Sequence, residues 1–151
     1  MFGKHGKKCS EVMTKNVTCC LPQDTAQMAA QSMQAQDIGA VLVVDSQETR
    51  RLAGIVTDRD LALKVVAAGL DPSLTPVEAV ITRNLATCGL QDDLQRALDA
   101  MSQRQVRRIP VVDDQGRLAG IIAQADLATR LEQPEATGKV VERISRSKRA
   151  A

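Results

Sequence analysis

Aromatic side chains are almost missing: the 151 residues hold one phenylalanine, Phe2, and no tyrosine or tryptophan. Stacking platforms for single-stranded nucleic acid need aromatic faces, so their scarcity argues against a nucleic-acid binder. It also requires a core of Val, Ile, Leu, Ala and Met. Histidine occurs once, as His5. No Ser or Cys stands beside a base by motif, and no carboxylate pair is set for acid–base work, so a protein without catalysis of its own is expected. No apolar run approaches the roughly 18–20 residues of a membrane span. The opening MFGKHGKKCSEV is basic but lacks the apolar stretch of a secretory leader. The four cysteines, Cys9, Cys19, Cys20 and Cys88, contain neither C-x-x-C nor zinc-type spacing. Reduced thiols in a cytoplasmic protein are expected, with Cys20 and Cys88 as small buried strand residues and a redox bridge as the alternative. No metal site is expected.

Charge is present but unevenly placed. The first eight residues carry +3 and the last thirteen +4, which leaves −5 on the body of a chain whose net charge is +2. Basic ends of this kind suit solvated tails; contact with nucleic acid or anionic lipid is the sharper alternative.

The main feature is an internal duplication. VMTKNVTCC (12–20) aligns with VITRNLATC (80–88), and DTAQMAAQSMQAQDI (24–38) with DDLQRALDAMSQRQV (92–106). VVD (43–45) falls on VVD (111–113), and RLAGIVTDRDL (51–61) matches RLAGIIAQADL (117–127) at seven of eleven positions. Each copy is predicted to form strand, helix, strand, strand, helix. Leu94, Ala97, Leu98 and Met101 make a helical stripe, and Ala26, Ala29, Ala30 and Met33 a weaker one. Asp24 with Gln27, and Asp92 with Gln95, have the spacing of capping boxes. AVLVV and IPVVD are β-branched runs suited to buried strands, each followed by a turn and a partner strand, LAGIV or LAGII. Leu61, Val65 and Ala68 begin a second helix, with Leu127 and Leu131 as counterparts. The expected division is a basic tail over 1–8, repeats over 9–68 and 77–132, a linker over 69–76 with Gly69, Pro72 and Pro76, and a basic tail over 133–151. A unit of about sixty residues buries little apolar surface alone, so two units packed sheet to sheet with a pseudo-twofold axis are expected.

DIGAVLVVD, GIVTDRDL, VRRIPVVDDQGRLAGII and their duplication resemble a tandem pair of CBS (cystathionine β-synthase) domains, as in small stand-alone bacterial CBS-pair proteins. The resemblance covers about residues 9–132. It implies an α/β (α+β) fold of two β-α-β-β-α repeats, homodimerisation into a flat disc, and a regulatory role without catalysis. It also implies an adenosine nucleotide (AMP, ADP or ATP) or another adenosyl compound as ligand, no covalent cofactor, and a regulated protein partner. Within the resemblance, Thr57 meets phosphate or sugar, Asp60 holds the ribose hydroxyls, and Arg107 with Arg108 reaches the phosphates. The matching positions for a second cleft are Asp126, Ala123, Gly39 and Ala40, which lack the hydroxyl and the cations. One competent and one degraded cleft are therefore expected. The strand motif's proline is Pro110 in the second copy and Leu42 in the first.

The chemistry suits these assignments. A carboxylate accepts two hydrogen bonds at once, matching a vicinal diol. Thr57 lies where strand gives way to helix, where free N–H groups favour an anion. Arginines fork onto phosphate oxygens. Asp58 and Asp60 would repel phosphate, and Arg59 partly offsets them. Asn16, Val17 and Thr18 on the first strand, with Ala40, Val41 and Leu42, are placed to sandwich a base. Plainer roles compete. Thr57 and Asp60 also have capping-box spacing, although Asp126 persists where Ala123 replaces the threonine. Arg107 and Arg108 can face solvent, with alternation turning only one inward. Gly54 and Gly120 read as packing glycines, and Met28, Met33 and Met101 as core filling. A ligand-free dimerisation or scaffold module is the alternative function.

Overall fold

The computed structural model describes residues 6–125 and residue 127. Phe2, His5, Asp126, Leu131 and the basic C-terminal segment lie outside the described residues. The chain forms a mixed α+β fold with two three-stranded sheets. In chain order the elements are α1 (Cys9–Val12), β1 (Cys19–Cys20), α2 (Ala26–Gln36), β2 (Ala40–Val44), β3 (Leu52–Thr57), α3 (Asp58–Leu61), β4 (Cys88–Gly89), α4 (Leu94–Arg104), β5 (Arg108–Val112) and β6 (Leu118–Ala123). The α3 helix continues as a π-helical turn, Ala62–Val66, and a 3-10 turn spans Val77–Ala79.

In each sheet the middle strand pairs in parallel with the short strand and antiparallel with the long one: β1-β2-β3 and β4-β5-β6. The duplication is visible in the register. Ala40 pairs with Thr57 and Val43 with Gly54; Arg108 pairs with Ala123 and Val111 with Gly120. The repeated VVD closes each hairpin. Asp45 accepts from Arg51 N at 2.9 Å and Asp113 from Arg117 N at 3.0 Å, and Arg117 Nε adds an ion pair to Asp113 at 2.8 Å. These bonds to the charged form hold both carboxyls below their ordinary range; the largest cause is the Thr49 hydroxyl at Asp45 and the Arg117 backbone N–H at Asp113.

The two compact units do not follow the edges of the duplication. One is Val17–Leu85; the other joins Met1–Asn16 to Ala86–Ala151. Each takes an arm that precedes the opposite copy in sequence. In the first unit Val77 N donates to Asp24 O at 2.7 Å and Glu78 N to Pro22 O at 3.0 Å. In the second, Cys9 N donates to Asp92 O at 2.9 Å and Ser10 N to Leu90 O at 3.1 Å, in the same relative positions. The arms also complete the helix starts. Ala26 N donates to Thr75 O at 2.8 Å and Gln27 N to Pro72 O at 3.1 Å, while Leu94 N donates to Lys7 O at 2.7 Å. Residues Pro72 to Pro76, read from sequence as linker, thus serve as a backbone cap.

That arrangement corrects the expected capping boxes. Asp24 and Asp92 turn backwards instead, accepting from Leu21 N at 2.9 Å and Gly89 N at 2.8 Å. The α2 N-cap is Thr25, whose hydroxyl accepts from Met28 N, and Asp93 at the start of α4 makes no side-chain cap bond. The α4 stripe of Leu94, Ala97, Leu98 and Met101 is buried as its spacing predicts. In α2, Ala26, Ala29 and Met33 are buried, but Ala30 is exposed. Met28 is also exposed and not core filling. Val65 is buried, while Ala68 is exposed.

The first unit's core gathers Cys20, Val41, Val43, Val56, Val65, Val77 and Val80. The second gathers Cys9, Val12, Cys88, Leu98, Met101, Ile109 and Ile122. Gly54 and Gly120 sit where the arms cross the sheets. A Cβ on Gly54 would stand 2.6 Å from Thr82 O, and one on Gly120 2.7 Å from Thr14 O. Those carbonyls accept from Ile55 N and Ile121 N, both at 3.0 Å. A methyl group must therefore push the arm's backbone away. Gly54→Ala and Gly120→Ala are each expected to cost about 1–3 kcal/mol, read as a lower midpoint in urea denaturation; unchanged midpoints would show that the close approach is not structural.

Candidate ligand site

The β3–α3 junction assembles Thr57, Asp58, Arg59 and Asp60. Thr57 is the helix N-cap. Its hydroxyl accepts from Asp60 N at 3.0 Å, and its own N–H donates to Asp60 Oδ2 at 3.0 Å. The capping box is real, so Thr57 and Asp60 have a structural role whatever else they do. The second carboxylate oxygen, Oδ1, pairs with Lys64 Nζ at 3.1 Å. Lys64 also donates to Val80 O at 3.2 Å, which anchors it to the arm. Lys64 was not legible as a site residue; its only signal is the four-residue spacing from Asp60 on one helix face.

Asp60 is thus held from two sides while its side chain keeps 13% of its surface exposed. A carboxylate offers about four acceptor positions. Thr57 N–H and Lys64 use one each, which leaves capacity for a diol.

The expected free N–H groups at this helix start are not there. Asp58 N donates to Gly39 O at 2.9 Å, Arg59 N to Asp58 Oδ1 at 2.8 Å, and Asp60 N to Thr57 Oγ1 at 3.0 Å. An anion would find those donors already satisfied. Asp58 and Arg59 are both exposed. Gly39 lies against Asp58: a Cβ there would stand 3.2 Å from Asp58 Oδ2.

The second repeat copies the junction in backbone and changes its chemistry. Gln124 N donates to Arg107 O at 2.7 Å, as Asp58 N does to Gly39 O. Arg107 therefore occupies Gly39's place, Arg108 that of Ala40, and Ala123 that of Thr57. The residue beside Arg107 is Gln124, an amide where the first repeat has an acid. Its Oε1 is buried and has no hydrogen-bond partner among the described residues. Arg107 is exposed and Arg108 half-buried at the start of β5. Asp126, expected from the sequence to serve a second cleft, lies outside the described residues.

The base-flanking candidates are placed differently than expected. Asn16, Val17 and Thr18 precede β1 rather than lying on it. Asn16 is exposed, with φ of 57° in the left-handed region that asparagine tolerates. Thr18 Oγ1 accepts from Gln36 Nε2 at 2.7 Å. Ala40, Val41 and Leu42 are buried strand residues of β2.

The chain belongs to the CBS domain family, whose model matches twice, at residues 9–67 and 77–133. It is similar to the CBS domain-containing protein YhcV of Bacillus subtilis, with 38% identity over 135 residues, covering 89% of this chain and 93% of that one. It is also similar to Hypoxic response protein 1 of Mycobacterium tuberculosis, with 36% identity over 82% of this chain and 84% of the relative. The crystal structure of Hypoxic Response Protein I, with two coordinated zinc ions, superposes with a TM-score of 0.75 at 35% identity, covering 83% of this chain and 99% of that one. The CBS domain pair of protein MJ0100, solved with 5′-methylthioadenosine and S-adenosyl-L-methionine, gives 0.69 at 25% identity, over 82% and 94% of the two chains. Among the described residues here, no group of three or more His, Cys, Asp or Glu side chains is placed to hold a metal ion. No described helix is long and apolar enough to cross a membrane.

Proposed function

We propose that this protein is a non-catalytic, cytoplasmic sensor of adenosine-containing ligands with one competent site per chain. Asp60 takes the ribose diol, Thr57 the adjoining sugar or phosphate oxygen, and Arg107 with Arg108 the phosphates. Arg59 is the further cation at the junction. Asn16, Val17, Thr18, Ala40, Val41 and Leu42 flank the base. The observation that carries this is Asp60 itself, pinned by Thr57 N–H and by Lys64 with acceptor positions to spare. The adenosyl compounds bound to the MJ0100 pair support the same ligand class.

The experiment is thermal melting of the chain with AMP, ADP, ATP, S-adenosylmethionine and NADH in turn. A ligand at 100 times its dissociation constant stabilises the folded state by about 2.7 kcal/mol, so at least one should raise the melting temperature by several degrees. No shift with any of the five would remove the proposal. Homodimerisation belongs to the same proposal. The exposed apolar side chains Leu63, Val66, Leu70 and Leu74 support it, and sedimentation as a monomer at micromolar concentration would contradict it. A protein partner is the expected reader of the ligand-bound state.

A further inference from the structure

Lys64 pairs with the candidate diol acceptor and is itself anchored. Its Nζ stands 3.1 Å from Asp60 Oδ1 and 3.2 Å from Val80 O. The other carboxylate oxygen, Asp60 Oδ2, accepts from Thr57 N at 3.0 Å. Asp60 is therefore fixed at one oxygen by backbone and at the other by an ammonium. All of these groups lie in the unit Val17–Leu85.

The anchor is firm. Val80 is 3% exposed and follows the 3-10 turn Val77–Ala79. Two residues on, Thr82 exchanges a pair of backbone bonds with Ile55 of β3, at 2.8 and 3.0 Å. The Val80 carbonyl thus belongs to a segment bonded to the same strand that ends in Thr57. Lys64 lies in the π-helical turn Ala62–Val66, where Ala67 N donates back to Ala62 O at 2.9 Å. Turns of that kind are rare and are frequent at functional sites.

An exposed Asp–Lys pair four residues apart is ordinarily loose, because two long side chains give up rotamer freedom for a weak attraction in water. The Lys64 side chain keeps 46% of its surface exposed, so burial does not tighten this pair. The second acceptor does. An ammonium held by a fixed carbonyl cannot follow the carboxylate as it rotates, so the carboxylate plane is set. That matters more for a diol than for a single hydroxyl. Two adjacent hydroxyls donate together only to a correctly oriented carboxylate, and a site organised before binding loses less on binding.

We propose that Lys64 is a positioning residue for ribose, orienting Asp60 so that the site selects ligands with an intact 2′,3′-diol over their 2′-deoxy forms. The inference deepens the adenosine proposal and rests on its assignment of the diol to Asp60. Lys64 also offsets the Asp60 charge beside any phosphate, but ribose and deoxyribose ligands with the same phosphates share that effect. The ratio of their affinities therefore separates orientation from charge.

The full chain, Lys64→Met and Lys64→Arg are titrated by calorimetry with adenosine, AMP and ATP, each beside its 2′-deoxy form. Methionine keeps an unbranched apolar stem and removes the donors; arginine keeps the charge and enough donors for both acceptors. Melting without ligand should show cooperative unfolding for both variants. A hydroxyl bonded to a charged acceptor is worth roughly ten- to a hundredfold in affinity, and the wild-type chain is expected to prefer the ribose form by that factor. In Lys64→Met the preference should fall to within about threefold, and in Lys64→Arg it should return. A wild-type preference kept in Lys64→Met, tighter ribose binding by that variant, or equal loss in both variants would overturn the inference and leave the ligand proposal standing. A wild-type chain that binds without preference, or binds none of the compounds, would overturn the ribose assignment and the inference with it.

Discussion

Asp60→Ala is expected to reduce affinity for the adenosine ligand by two to four orders of magnitude. A hydrogen bond to a charged group contributes about 1.5–3 kcal/mol, and the carboxylate would accept one from each ribose hydroxyl. Losing both amounts to about 3–6 kcal/mol, or on the order of 10²–10⁴ in the dissociation constant. Because Asp60 also closes the capping box with Thr57, the same change should lower ligand-free stability by about 1 kcal/mol. Melting the unliganded variant separates the two effects: a modest drop in midpoint with a large loss of affinity identifies ligand recognition. A drop in midpoint with affinity retained would leave Asp60 as a cap only. Asp126→Ala should leave affinity unchanged, because its repeat carries Ala123 in place of the threonine.

A fragment comprising residues 17–85 should fold cooperatively, while one comprising 9–68 should not. The second fragment follows the duplication as it reads in sequence. It omits Val77 and Val80, which are 0% and 3% exposed in the first unit. It also omits the Thr75 and Pro72 carbonyls that receive the first N–H groups of α2. Burial of a valine-sized side chain contributes about 1.5–3 kcal/mol, so the two valines together are worth about 3–6 kcal/mol. A domain near sixty residues has little to spare. Circular dichroism melting of both fragments is the check. A comparable sigmoidal transition in 9–68 would mean that the arm is dispensable.

The order from β1 to α3 and from β4 to β6 was legible because the duplication repeated its signals, whereas α1 was not expected. The α4 stripe, the two VVD hairpins and the two glycine strands each appear twice at matching positions, and two weak signals in register make a strong one. Arm exchange was not legible. Periodicity reports which residues are buried, and Val77, Val12 and Cys9 look the same whichever sheet they cover. The capping error has a related cause. Asp24 and Asp92 had the right spacing for a box, but backbone carbonyls from distant segments took the N–H groups, so the carboxylates closed the preceding turns instead.

At the candidate site, Thr57 and Asp60 were visible from their motif, and the match of Arg107 and Arg108 to Gly39 and Ala40 rests on equivalent backbone bonds. Lys64 was hidden because an Asp–Lys pair four residues apart is common on any exposed helix. The helix-end anion site was overestimated for a physical reason. Asp58, Thr57 and the Gly39 carbonyl are near enough to satisfy the three N–H groups that would otherwise meet a phosphate.

The most direct measurement is titration calorimetry of the reduced chain with whichever adenosine compound most raises its melting temperature. Saturation at one ligand per chain, lost in Asp60→Ala and kept in Asp126→Ala, is the predicted result. Two equivalent sites per chain, or identical binding by both variants, would contradict the assignment of ribose recognition to Asp60.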